Sequence, residues 1–448
     1  MSKGRKGMSR RDVLKSAAMV GAAGAVGLGA NILIPGRAKA AKKLTILQWQ
    51  HFVPAYDEWF NKTWIKEWGE KNDTEVIVDN INNTLLPSRA AAEASARKGH
   101  DLFMHLQPNP VYEELVIDHR EIYQEVEKKW GKAIDLAVKS TYNPKTKKYF
   151  GFSDMYVPDP INYIKPLWDE VGINPDSWDN IRAGGAKIKK AKGIPVGIGL
   201  ANELDTAMAI RAMMYSNGAH EQDAEGNLTL KSKNTLDVLK FVKALYEEAM
   251  TPEVLSWNPA SNNQAMLAGT ISVALNAISI TRTAEDQKNP LSKDIYLNKA
   301  AKGSVRQMGL EHVMSVYAIW DFAENKEGAK KFLVDLVNNY ERAFEASAFY
   351  NFPSFPKTVP HLQEAIKHDK KGIPADKYAV LGDSLKWATN VGYPGYANAA
   401  IGDAWNGWVI NEMFAKAATG ALSPEAALDE ANEKCKRIWA KWKEAKLI

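Results

Sequence analysis

The sequence predicts an α/β protein of two packed lobes, and three observations carry that prediction. The chain has 448 residues, more than one hydrophobic core ordinarily serves. Hydrophobic residues make up 45% and charged residues 25%, the ordinary globular range, which excludes disordered and collagen-like chains. From Ala41 onward, strand-like and helix-like patterns alternate, as in folds built on parallel sheets.

Leu44 to Trp49 reads as a strand. Apolar side chains at Tyr56, Trp59, Phe60, Trp64, Ile65 and Trp68 then recur at helical spacing, with Pro54 placed to open the helix. Glu75 to Val78 is a second strand, Leu86 to Lys98 an alanine-rich helix and Asp101 to Leu106 a third strand. Ligands in open parallel sheets lie beyond the carboxyl ends of strands, which selects Trp49, Gln50, His51 and Gln107 as site candidates. Further on, strands are expected at Ile161–Ile164, Val196–Leu200, Ile271–Asn276 and Val313–Trp320. Helices are expected at 167–171, from Ser177, at 205–217, 234–250, 264–268 and 326–339, and in a long tail from Ala404.

The first forty residues read as an address. A basic stretch ends in Ser9-Arg10-Arg11-Asp12-Val13-Leu14-Lys15, an apolar run of small residues reaches Pro35, and Ala38-Lys39-Ala40 has the small-x-small form that a signal peptidase accepts. The paired arginines resemble a twin-arginine export signal. The run is too poor in large side chains to favour a membrane anchor. A protein cleaved near Ala40-Ala41 and soluble in the periplasm is therefore expected, with the export machinery and signal peptidase as partners. The formal net charge of +5 resolves into +7 for residues 1–40 and −2 for the remainder, so the mature chain has no global field for nucleic acid. The lone cysteine, Cys435, excludes an internal disulfide and reads as a buried structural thiol.

Catalytic motifs are sparse. No Gly-x-Ser-x-Gly elbow or P-loop occurs. His51, His105 and His312 lack the paired spacing of a zinc helix, so neither a metal nor a cofactor is expected. Gly184-Gly185-Ala186-Lys187 and the lysine cluster at 187–192 read as helix start and solvated helix end.

The order of landmarks resembles the bacterial extracellular solute-binding protein family 1, the maltose-binding-protein-like receptors of ABC transporters. Phe152-Ser153-Asp154-Met155-Tyr156, Ile161-Asn162-Tyr163-Ile164 and Trp178-Asp179 resemble its passage into the second lobe. Asn262 to Asn276 resembles the helix, glycine and strand before a ligand-facing loop. Val316 to Trp320 and the helix after Asn325-Lys326-Glu327 resemble the return, and Tyr393-Pro394-Gly395-Tyr396 with Ser423 to Leu428 the close. The family's Gly-Gly-Trp before the return strand is Val313-Met314-Ser315 here.

The resemblance implies the two-lobed periplasmic binding protein fold (type II), two parallel-sheet lobes joined by a hinge. Crossovers would fall near 153, 308 and 346, giving one lobe of 41–153 and 309–345 and another of 154–308 and 346–448. It also implies hinge closure on a small polar ligand and delivery to permease subunits. Fourteen tryptophans and sixteen tyrosines suit stacking on sugar rings, with Asn, Gln and Asp for hydroxyls. The cleft set is then Trp49, Gln50, His51, Gln107, Asp154, Tyr156, Trp257, Asn258, Asn276, Ser279, His312, Asn351, Tyr393 and Tyr396. Two alternatives stand beside the sugar receptor: a periplasmic cofactor enzyme exported folded, and a receptor for a polyamine or other cation, the latter needing two or more carboxylates at the cleft.

Overall fold

A computed structural model describes residues 42–448. The export signal and its cleavage point lie outside the described residues. The strands, in chain order, are β1 (Lys42–Trp49), β2 (Thr74–Ile81), β3 (Leu102–His105), β4 (Tyr142–Asn143), β5 (Lys148–Tyr149), β6 (Met155–Pro158), β7 (Ile161–Ile164), β8 (Val273–Leu275), β9 (Ile295–Asn298), β10 (Gly309–Met314), β11 (Val316–Ile319), β12 (Phe352–Pro353) and β13 (Ala388–Thr389).

The first sheet has the order β11-β3-β1-β2. β1 runs parallel to both β2 and β3, as the β-α-β-α-β pattern predicts, and β11 returns antiparallel to β3. The helix after β1 begins with Pro54 in its first turn, where a missing N–H costs nothing, and buries Tyr56, Phe60, Trp64 and Trp68. A π-turn at Phe60–Trp64 rotates the aromatic stripe, and Trp68 meets Phe332 edge-on at 5.2 Å.

The second sheet has the order β8-β7-β9, and β7 is antiparallel to both neighbours, so the parallel arrangement expected of both lobes holds only in the first. Val196–Leu200 is buried as expected but is not a strand. It makes one isolated bridge, Val196 to Val273, and its other amides reach loop and helix-end carbonyls: Val196 N–H donates to Ala249 O, and Leu200 N–H to Val254 O. Two glycines let neighbours press against it; a Cβ on Gly197 would stand 2.3 Å from the Ile271 side chain. Helices flank this sheet with polar N-caps at Ser177, Ser232 and Ser423, each satisfying a backbone donor of the first turn.

A third sheet, β12-β6-β10-β13, joins the two halves. The single strand expected over 313–320 is two strands. β10 belongs to the joining sheet and β11 to the first sheet, and Ser315 between them turns its N–H to Met155 O.

Buried side chains gather chiefly into two large cores. The first draws on 44–157 and 313–397, the second on 161–275 and 391–439. Residues 346–387, expected in the second lobe, pack in the first core through Tyr350, Phe352, Phe355, Val359, Ile366, Tyr378, Leu381 and Trp387. The pairing of β12 with β6 draws this segment there, so the last passage to the second core falls near residue 390 rather than 346. Cys435 is fully buried, and burial pushes its thiol up to about 12.

Candidate functional site

The carboxyl end of β1 delivers Trp49 and His51 to the junction between the cores, while Gln50 faces solvent. Val53 N–H donates to His51 Nδ1 at 2.9 Å, so Nε2 carries the proton and donates to Asn351 Oδ1 at 3.0 Å. Burial holds the His51 imidazole down to about 4, so the ring is neutral. Asn351 Nδ2 is left buried without a protein partner, and so is the neighbouring Tyr350 hydroxyl; the Tyr350 ring lies 5.0 Å from His51. Asp154 is buried behind them, facing the phenols of Tyr56, Tyr317 and Tyr340. Burial raises its carboxyl to about 6, and its Oδ1 has no hydrogen-bond partner.

From the other side come β10 and the helix Leu204–Ser216. His312 on β10 donates from Nδ1 to Asp159 Oδ1 at 3.1 Å, and its Nε2 stands 3.9 Å from Asp205 Oδ1. Neither His312 Nε2 nor Asp205 Oδ1 has a hydrogen-bond partner. Burial opposes the imidazolium, but the bond to Asp159 and the charges of Asp205, Asp159 and Glu203 raise the His312 pKa; in the imidazolium form Nε2 is a donor. Asp205 Oδ2 accepts from Asn262 at 2.6 Å. Asn276 Nδ2 donates to Asn262 Oδ1 at 2.8 Å and Asn263 Oδ1 at 2.6 Å, and Ser279 Oγ donates to Asn276 Oδ1 at 3.3 Å. Glu203 caps the helix through the amides of Asp205 and Thr206. Burial raises both Glu203 and Asp205, with mutual repulsion adding to Glu203.

A cavity of about 410 Å³ adjoins this polar cluster at Glu203 and Gln107, while Asp205, His312 and Asn276 lie outside its lining. Segments 83–88 and 105–109 form one wall, and 202–204, Pro259, Trp405 and Trp408 the other. Gln107 belongs to both cavity and cluster: its Nε2 donates to His312 O at 3.1 Å, and its Oε1 has no partner. His105 lines the same wall, its pKa pushed by burial down to about 3.

Trp49, His51, Gln107, Asp154, Asn276, Ser279, His312 and Asn351 thus converge on one region. Six other candidates do not, Gln50 because it faces solvent. Tyr156 faces the far side of the joining sheet, where its hydroxyl meets Ser384 Oγ at 3.0 Å. There it lines a larger cavity of about 680 Å³ walled mainly by proline and aliphatic side chains. Trp257 packs against the second core and Asn258 caps its own turn; only Pro259 of that loop reaches the cleft. Tyr393 accepts from Arg306, and the Tyr396 ring lies against Tyr142, because the turn carrying both is tied down by Gln222 bonds to Gly392 O and Tyr396 O. Sequence reasoning missed Trp405, Trp408, Asp159, Glu203, Asp205 and Tyr350. The two tryptophans flank Asn406-Gly407, a turn signal inside a helical pattern, and the chain does break there, with Trp408 at φ +54°.

The sequence profile of the bacterial extracellular solute-binding proteins matches residues 53–337. The chain belongs to that family. A twin-arginine translocation signal matches residues 7–27, and the protein is exported to the periplasm. No helix among the described residues is long and apolar enough to cross a membrane. Among curated relatives, a Brucella abortus (strain 2308) protein named as a binding protein is 25% identical over 185 residues, 40% of this chain and 44% of that one. The matched region therefore spans less than half of the relative. Solved structures share the fold over most of the chain. The maltose-bound MalE3 of T. maritima superposes with a TM-score of 0.73 at 18% identity, covering 89% of this receptor and 100% of that chain. A sugar transporter from Arthrobacter chlorophenolicus with bound laminaribiose gives 0.72 at 15%, covering 88% and 99%. A solute-binding protein from Agrobacterium radiobacter in complex with ribitol gives 0.71 at 16%, covering 90% and 100%.

Proposed function

We propose that this receptor binds a neutral, polyhydroxylated solute, a carbohydrate, between its lobes, closes on it and presents it to the permease subunits of an ABC importer. The observation that carries the reading is the Asp205–His312 pair. A buried acceptor and a buried donor stand 3.9 Å apart, each without a partner. One hydroxyl group, which donates and accepts at once, satisfies both. Gln107 Oε1 adds an acceptor, Asn351 Nδ2 a donor and the Tyr350 hydroxyl either role, while Trp405 and Trp408 supply aromatic faces. A buried polar atom without a partner costs about 1–3 kcal/mol. A solute that supplies several partners lowers the closed state relative to the open one by the sum of those contacts, which is the thermodynamic content of ligand-driven closure.

The charge balance supports the same class. The described residues lining the cavity include no lysine or arginine, which disfavours carboxylate and phosphate solutes. Asp159 is engaged by His312, Glu203 by its helix cap and one Asp205 oxygen by Asn262. Asp205 Oδ1 and Asp154 Oδ1 have no partner, but burial raises both carboxyls to about 6, which disfavours a dication that needs two fully ionised carboxylates. A thermal-shift screen over neutral sugars and polyols, amines and organic acids tests this, because a ligand specific to the folded form raises the midpoint. A rise confined to amines or acids would refute the carbohydrate reading. The named ligands of the structural neighbours, maltose, laminaribiose and ribitol, belong to the favoured class and are the first compounds to try.

A further inference from the structure

Trp405 lines the cavity, and Arg211, almost wholly buried and outside the cavity lining, lies over its indole with Cζ 4.4 Å from the ring centroid. The guanidinium is fixed along two edges: Nε donates to Glu221 Oε1 at 2.7 Å and Nη1 to Ala207 O at 3.0 Å. Glu221 is held in turn by the Tyr215 hydroxyl at 2.7 Å, which also accepts from Gly392 N–H. A buried ion pair of this kind is weak evidence for stability, since apolar residues of similar volume often serve as well. Its placement says more. Arg211 rises from the same helix, Leu204–Ser216, that carries Asp205 into the polar cluster.

We propose that Arg211 is a positioning residue: held by Glu221, it clamps the inner face of Trp405 so that the outer face stays set as a stacking wall at a fixed distance from Asp205. The clamp needs a planar cation. A guanidinium lies flat on an indole while keeping its in-plane bonds, and a lysine ammonium cannot do both. The turn carrying Tyr393 and Tyr396 then has a role outside the cleft, as the far anchor of the clamp through Gly392.

The inference rests on the carbohydrate reading, but its first readout needs no ligand. Protein labelled with 5-fluorotryptophan gives a ¹⁹F resonance for Trp405, assigned by its loss in Trp405→Phe. Arg211→Lys keeps the charge and loses the plane. The double variant Arg211→Met with Glu221→Leu removes the pair together, so no unpaired carboxylate is left buried. In both, the Trp405 resonance is expected to shift and broaden, while the other tryptophan resonances hold. With maltose, laminaribiose and ribitol as probes, affinity is expected to fall roughly three- to thirty-fold for any that binds the wild type. A Trp405 resonance unchanged in position and width overturns the clamp, even if Trp405→Ala loses affinity and so upholds the stacking wall. A resonance that moves while affinity stays the same refutes the stacking wall and the inference with it. If none of the three probes binds, the ¹⁹F comparison alone decides.

Discussion

At the scale of single residues, the proposed site rests on opposite hydrogen-bonding roles placed close together among buried side chains. Asp205→Asn keeps the size and the bond accepted from Asn262 but replaces the free acceptor oxygen with an NH2 donor. It is expected to reduce ligand affinity by about 1–3 kcal/mol, some five- to 150-fold, with the fold intact. Titration calorimetry of the variant checks this. The same pair sets a pH dependence. Burial raises the Asp205 pKa, so its carboxylate is lost on acidification while an ordinary aspartate is still ionised, and affinity should fall as pH drops through that range. The His312 pKa is raised, so its Nε2 donor persists to higher pH than that of an ordinary imidazolium and is lost on further alkalisation. The stability it contributes is likewise present below the imidazole's ordinary 6.5 and lost on alkalisation. Affinity against pH should therefore be bell-shaped, and Asp205→Asn should flatten the acid limb; an acid limb unchanged in the variant would assign it to another group. Trp408→Ala removes an aromatic wall at the cleft and should cost about 1–3 kcal/mol of binding. Trp64→Ala opens the first core, where Trp64 is buried against Phe332, and should cost roughly 3–5 kcal/mol of stability with affinity unchanged. Equilibrium unfolding and calorimetry on the two variants separate the roles. The residues legible in the sequence were those that end strands, such as His51, Gln107 and Asn276, because strand ends in α/β sheets face ligands. Asp205 and Trp405 were not, since a helix cap and a helix interior look alike whether or not a cleft passes them.

At the scale of elements, close approaches explain most of what the pattern left out. The helix Trp178–Lys192 carries Gly184, where a Cβ would stand 2.4 Å from the ring of Trp168. In an exposed helix Gly→Ala gains about 1 kcal/mol. Here the clash reverses the sign, and Gly184→Ala should destabilise by about 1–3 kcal/mol, read from the urea midpoint; a stabilised variant would contradict the packing. The first sheet was legible because its strands alternate with helices of clear period. Val196–Leu200 was misread as a strand because an apolar run with glycines is equally a buried extended segment, and only the partners of its amides tell them apart. The break at Ser315 left no mark either: β10 and β11 are both buried on both faces, so their hydrophobic runs join without punctuation.

At the scale of the whole molecule, two large cores meet at one joining sheet, and the polar cluster draws on both sides of it. Fold class and the order of landmarks were legible because they are spread over the chain. The third passage was misplaced by some forty residues because β12 and β13 are two residues each, too short to show a period. In the proposed mechanism both halves hold one neutral solute and close on it. Small-angle scattering of the purified receptor, with and without a saturating sugar from the thermal-shift screen, tests it most directly. The radius of gyration should shrink on binding, and Asp205→Asn should shift that transition to higher sugar concentration. Scattering curves that superpose at saturation would contradict it.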